Sequence, residues 1–554
     1  MPNRTHALRS TTFRIAVFGG FVLAAACALA ASTDEASIAE ARMRAHIEYL
    51  ASDQLEGRAP GSPGETLTVA YLTEQLKQMG CEPGNPDGQY TQKVPMYGFE
   101  VTNAPVLVVR GKKEERFAAG TQFIAWTLRQ EPATSVENAE LVFVGYGVDA
   151  SEYQWNDYTS DVRGKVVVML VNDPPSTDAA LFGGKAMTYY GRWTYKFEQA
   201  AAVGAVGAIL IHNTDDAGYP WAVVENSWSG EQFDVVRPDR GMARCAFESW
   251  ITEDAARVLF SAAGRSFDGV KRSAGAKNFR PVSLGLTASV DVKTRSRTIE
   301  SYNVVGRVTG TGDLADEWII YSAHWDHLGI GKPADSDSIY NGALDNASGV
   351  AGVLEVARAF VAEKRALKRS VLFLFTTGEE SGLLGATHYT NHPLYPLENT
   401  VAEINVDGLN IWGGTEDMIV VGWGQSSLEQ ILEQAIAPDR RIAPDREPEK
   451  GYYYRSDHFP FAKKGVPALY ADSGVECRGR PAGWGLERRK DYVAQRYHKP
   501  QDQYDASWDL SGAAEDMGAL FRVGQSIATG ESTPQWSEKS EFRRLRDASL
   551  RGSK

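Results

Sequence analysis

Three apolar, β-rich runs constrain this chain more than any other feature: Trp318 to Ser322, Val371 to Phe375 and Val401 to Val406. Runs that are apolar at every position, rather than alternating, suit parallel strands buried on both faces. Between the first two, Val350 to Phe360 carries Val353, Leu354, Val356, Ala357 and Phe360 at helical spacing. The expected fold class from about residue 301 is therefore α/β, a mostly parallel or mixed sheet covered by helices. Sites in such sheets form beyond the carboxyl ends of the strands, so the polar residues that follow each run are where chemistry is expected.

Those residues are hard metal ligands. His324-Trp325-Asp326-His327 follows the first run, Glu379-Glu380 the second and Asp407 the third. Asp345-Asn346 sits among small residues, from Asn341 to Gly349, that let the backbone approach closely, and Tyr497-His498 with Asp502 and Asp505 forms a polar turn segment. Each has an ordinary alternative: His324 as a core histidine, Glu379-Glu380 as a solvated pair, Asp345 and Asp407 as caps or turn residues. Imidazole and carboxylate together, with no thiolate nearby, suit zinc. Two adjacent glutamates can also divide the work, one binding metal while the other stays free as a base.

Upstream, residues 40 to 80 follow helical spacing, interrupted by Glu56 to Gly64, and Thr66 to Met79 reads as an amphipathic helix stopped by Gly80. Val106 to Val109, Leu141 to Val144, Lys165 to Leu170 and Ala208 to Ile211 read as strands, and Lys196 to Val203 as a helix. Leu284, Leu286, Ala288, Val290 and Val292 alternate on one face. A second unit is expected over 130–290, between residues 31–129 and 291–530 of the first, with a tail over 531–554.

Residues 1–30 read as an export signal: Arg4, Arg9 and Arg14, an apolar stretch from Ile15 to Ala26, and a cleavage site at Ala28-Leu29-Ala30. The apolar stretch is shorter than the roughly 18 residues a membrane span needs, and Cys27 behind Ala24-Ala25-Ala26 leaves a lipid anchor open. The expected destination is the periplasm or the exterior. A formal charge of -13 disfavours nucleic acid or anionic lipid as the main partner. Four cysteines are too few for a disulfide scaffold, and oligomeric state is not readable.

The ordered set Ser322-Ala323-His324-Trp325-Asp326, Gly342 to Gly349, Phe375 to Gly385, Asn405-Val406-Asp407, Ser456 to Phe461 and Tyr497-His498 resembles the M28 family of zinc peptidases. Leu55-Glu56-Gly57-Arg58 and the helix after it also resemble bacterial members. The resemblance implies two zinc ions per chain, His324 and Asp407 on one, Glu380 and His498 on the other, with Asp345 as the bridge. It implies Glu379 as general base toward a water held between the ions, and Tyr497 as an oxyanion donor. Asp326 is expected to hold the His324 imidazole, Asn346 to follow a cis peptide bond, and His458 and Asp502 to support the pocket or the ligands.

Gly145-Tyr146-Gly147, Asp161 to Val168 and Ala205 to Ile211 resemble an inserted, β-rich protease-associated (PA) domain, usually a lid or substrate-selecting module. The implied activity is an aminopeptidase acting on peptides with a free amino terminus. A carboxypeptidase or dipeptidase of the same family is the alternative, with Arg478, Arg480, Arg488, Arg489 and Lys490 offering a carboxylate site. A non-catalytic binding protein on the same scaffold is the remote one.

Overall fold

The computed structural model describes residues 38–552, apart from 176–180, 229, 335, 437 and 531. The export signal, Cys27 and the end of the tail lie outside the described residues. The three apolar runs form the centre of a mixed sheet. Its main strands are β1 (Thr91–Val101), β2 (Val282–Val308), β3 (Trp318–His324), β4 (Ser370–Thr376), β5 (Thr400–Asn405), β6 (Asp417–Val421), β7 (Arg441–Pro444) and β8 (Ala468–Ser473), with Gln232–Val235 added beside β1. They lie in the order β1-β2-β4-β3-β5-β8-β6-β7. β4, β3, β5 and β8 run parallel, and β2 and β6 close this block antiparallel.

Every residue of β3, β4 and β5 is buried, which is why these strands read as unbroken apolar runs. Helices α1 (Glu40–Leu50), α2 (Pro63–Met79), α3 (Gly349–Glu363) and α4 (Ser511–Ala528) supply the cover. Ile47, Leu76, Val353, Phe360 and Leu520 share one core with Ile319, Phe373 and Ile404. Chain order places β4 on one side of β3 and β5 on the other. The carboxyl end of β3 is thus a topological switch point, where the loops after neighbouring strands splay apart and leave a crevice.

β2 is shared by two sheets. Its second half pairs with β1 and β4, while its first half pairs with Ala133–Phe143 and Leu107–Arg110 in a second sheet. Leu284, Leu286, Ala288, Val290 and Val292 point into the core of that second unit, as their alternation requires. Phe123–Trp126 pairs with Phe247–Thr252 in the same second sheet. The second unit therefore includes strands from 107–126, and a boundary at 130 falls inside its sheet. Cys81, Cys245 and Cys477 are free thiols, the first two buried. No helix among the described residues is long and apolar enough to cross a membrane.

His46 on α1 illustrates how this core responds to pH. It is buried, with Nδ1 hydrogen-bonded to the Tyr71 hydroxyl at 2.6 Å. Burial, reinforced by Arg358 and Arg42, pushes its pKa down to about 4. The folded protein resists protonating it, so its contribution is full above about pH 6.5 and is lost as pH falls toward 4. Between pH 6.5 and 5 the wild type is expected to lose about 2 kcal/mol more than His46→Gln. Urea unfolding of both proteins at the two pH values measures the difference, and parallel losses would reject it.

Candidate metal centre and active site

The switch-point loops bring the expected ligands together. His324 ends β3, and its Nε2 lies 3.2 Å from Asp407 Oδ1, just after β5, and 3.3 Å from Asp345 Oδ1. The other oxygen of Asp345, Oδ2, lies 3.2 Å from His498 Nε2, which is also 3.0 Å from Glu380 Oε2. One carboxylate thus faces two ligand sets through its two oxygens. A tetrahedral ion with bonds of about 2.0–2.1 Å sets neighbouring ligand atoms about 3.3 Å apart. These nitrogen–oxygen separations fit that edge length, so the donor set fits two zinc ions in size as well as in chemistry. Ligand atoms of His324, Glu379 and Asp407, and of His324, Asp345 and Glu380, each fall within 4.8 Å of one another.

Glu379 stands apart from the tight contacts. Its Oε2 is 3.9 Å from His324, and its backbone N–H donates to Asp326 Oδ1 at 3.1 Å. Glu380 is fully engaged: Oε1 meets His327 Nδ1 at 2.6 Å while Oε2 faces His498. Tyr497 stacks on the His498 ring at 3.9 Å and reaches the open cavity.

The supporting residues divide as follows. Asp502 accepts from the backbone of Leu344 and Asp345 at 3.1 Å each, and from the Tyr492 hydroxyl at 3.1 Å. Asn346 follows a cis peptide bond, donates to Val406 O, and accepts from Gly349 and Gly408, tying the Asp345 turn to the Asp407 loop. Gly342, at φ 55, has no room for a side chain, because a Cβ would strike the Asp345 carbonyl and the His327 ring. The Ser456 hydroxyl donates to Asp407 Oδ2 at 2.7 Å.

One placement differs from the sequence expectation. His324 Nδ1 faces the backbone carbonyl of Asp326 at 3.2 Å, whereas the Asp326 carboxylate is 3.9 Å away and holds the Glu379 loop instead. The backbone oxygen comes first because it is two residues along the same turn. His458, expected as a supporting residue rather than a ligand, lies outside the ligand cluster and contacts Tyr470, a residue that lines the cavity. Its ring packs between Tyr453 and Tyr470, and burial lowers its pKa to about 3, so it stays neutral. His327 was named in sequence only as part of the run after β3 and was given no role, yet it is fully buried against Glu380. Its position three residues after His324, still beyond the strand end, was the available signal.

The cluster is crowded with negative charge. Burial, with Asp407 and Glu380 close by, raises the Glu379 pKa well above the usual carboxylate range. Burial alone would lower the His324 and His498 pKa values, but the surrounding carboxylates raise both well above normal.

A cavity of about 300 Å³ opens onto Asp345, Glu379, Asp407, Tyr497 and His498. Its walls include Leu409, Trp412, Val421, Val475 and Val493, and Asp445, Asp472 and Arg489 also line it. Of the basic segment, Arg489 reaches this cavity, where it pairs with Asp472. Arg478 pairs with Glu515, and Arg488 with Asp491. The cavity's other cation, Arg455, donates to the Lys450 carbonyl.

Residues 303–521, which contain β3, β4, β5 and every ligand-type residue above, match the family model of Peptidase family M28. A probable leucine aminopeptidase 2 from Aspergillus oryzae is 25% identical over 461 residues, covering 80% of this chain and 75% of that protein. A vacuolar membrane protease from Verticillium alfalfae is 30% identical over 129 residues, but these cover 21% of this chain and 12% of that protein. An aminopeptidase from Aneurinibacillus sp. strain AM-1 aligns at 19% identity over 89% of this chain and 95% of its own, with a TM-score of 0.46. The likeness to peptidase family M28 is thus carried by residues 303–521, the segment that holds the whole ligand cluster.

Proposed function

We propose that the chain is an exported di-zinc aminopeptidase that hydrolyses the first peptide bond of peptides with a free amino terminus. The observation that carries this reading is the split of Asp345, whose two oxygens face His324 and His498 at 3.3 and 3.2 Å. His324 and Asp407 would hold one zinc, Glu380 and His498 the other, with Asp345 shared. Bound zinc would polarise the scissile carbonyl and acidify an attacking water.

Glu379 is the residue placed to move the proton. Its carboxylate borders the cavity without entering the tight ligand contacts, so it can take a proton from the attacking water and pass it to the leaving amine. In that step the water oxygen bonds the carbonyl carbon, and the carbon–nitrogen bond breaks. The Tyr497 hydroxyl, on a residue that lines the cavity, would stabilise negative charge developing on the carbonyl oxygen. A positive amino terminus suits the carboxylates that line the cavity. A terminal carboxylate would have to compete with Asp472 for Arg489, which favours the aminopeptidase over the carboxypeptidase.

The second unit, read as a PA domain, braces one wall of the cavity. Lys463 Nζ pairs with Glu198 at 2.8 Å, and Met187 donates to the Pro448 carbonyl beside the wall residues Tyr452 and Arg455. A wall fixed in this way limits the length of the chain that enters. Acetylating the amino end of a good substrate is expected to lower turnover at least about a hundredfold, the cost of one lost charged contact at 1.4 kcal/mol per decade. Equal cleavage of free and blocked peptides, followed by product analysis, would reject the amino-end assignment.

A further inference from the structure

Arg58 is a buried cation without a carboxylate beside it. It is 1% exposed, and among the described residues it forms no ion pair within 4.0 Å. Its guanidinium donates instead to four backbone carbonyls: Nε to Trp325 at 2.8 Å, Nη1 to Leu50 at 2.6 Å and to Asn341 at 2.5 Å, and Nη2 to Gly342 at 3.0 Å. A charge so deeply buried is costly unless hydrogen bonds and opposite charge compensate it. The opposite charge comes from the cluster described above. Burial lowers the Arg58 pKa to about 10, and Asp326, Asp502, Asp345 and Glu380 oppose that fall.

The four carbonyls are informative. Trp325 directly follows His324, and Asn341 and Gly342 lead into Asp345. These segments belong to different loops, and Arg58 joins them through their backbone. The turn before Asp345 is gripped from the opposite sense by Asp502, which accepts from the backbone N–H of Leu344 and Asp345. A cation on the carbonyls and an anion on the N–H groups clamp the same five residues. The loop carrying Arg58 cannot drift, because Gly57, at φ 69, packs against the Tyr340 and Gly329 carbonyls with no space for a Cβ.

We propose that Arg58 is a positioning residue of the metal centre, setting the spacing between His324 and Asp345 by joining the segments that carry them. This rests on the zinc reading given above. Arg58 does not line the cavity, so its loss should act through metal binding rather than substrate binding. Groups that orient metal ligands are worth about 10–100-fold in affinity.

The test is the zinc dissociation constant of metal-stripped protein, measured by chelator competition, with circular dichroism and melting of the metal-free form alongside. In Arg58→Met, zinc affinity is expected to fall about 10–100-fold, and kcat to fall while KM stays close to that of the wild type. A variant that melts earlier without zinc yet binds both ions like the wild type would overturn the proposal, since that is what a purely structural role gives. If Arg58→Met does not fold, Arg58→Lys decides. One ammonium cannot span four carbonyls on three segments, so its zinc affinity should fall at least about tenfold, and unchanged affinity overturns the proposal. A wild type that binds no zinc at all sinks the functional reading, whereas a wild type with two ions and variants that match it sink only the role of Arg58.

Discussion

Glu379→Gln is expected to keep both zinc ions and lose turnover by about 10⁴-fold or more, at or above the top of the range for a placed proton-transfer group. The structure gives the reason for keeping metal. Every nitrogen–oxygen edge of 3.0 to 3.3 Å in the cluster is made by His324, Asp345, Glu380, Asp407 and His498. Glu379 contributes none of them, and its loop is held by a backbone bond to Asp326 that the substitution leaves in place. Glu380→Gln removes a carboxylate engaged on both sides, by His327 and His498, and should lose or weaken one ion. Elemental analysis and steady-state kinetics on the two variants separate the roles. A metal-poor Glu379→Gln beside a metal-full Glu380→Gln would mean the two are reversed, and a fully active, metal-full Glu379→Gln would remove the general base from the mechanism.

What was legible in the sequence follows from where burial is complete. β3, β4 and β5 are covered on both faces, so each prints as an apolar run, and the switch point converts their order into a site. The residues just beyond the strand ends, His324, Glu379-Glu380 and Asp407, were therefore readable, and the geometry brings them together. Asp345 and His498 lie on turns with no such periodic signal, and family resemblance supplied their roles.

The rest was hidden for physical reasons. β2 is one strand of 27 residues that serves two sheets, and no local pattern announces where a strand changes partners. The strands over 107–126 belong to the second unit because Leu107–Arg110 pairs with β2 and Phe123–Trp126 with Phe247–Thr252, both more than a hundred residues away. Arg58 was read only as part of a resemblance, because an arginine that solvates itself on backbone carbonyls looks in sequence like any surface arginine.

Removing metal should have the largest effect of all. Enzymes supply about 10⁶-fold or more over the uncatalysed reaction, so exhaustively chelated protein is expected to fall to assay background. Adding zinc back should restore turnover and saturate at two equivalents per chain, because the ligand atoms form two sets that share one residue. The shared residue sharpens the test. Asp345→Ala removes a ligand from both sets at once, so elemental analysis should find fewer than one tightly held ion. Asp407→Ala touches only the set around His324 and should leave the ion between Glu380 and His498 in place. Saturation at one equivalent in the wild type would argue for a single-ion enzyme. If Asp345→Ala keeps two ions, the carboxylate is not the bridge, and the 3.2 and 3.3 Å approaches of its two oxygens to His498 and His324 are ordinary hydrogen bonds of a protonated cluster.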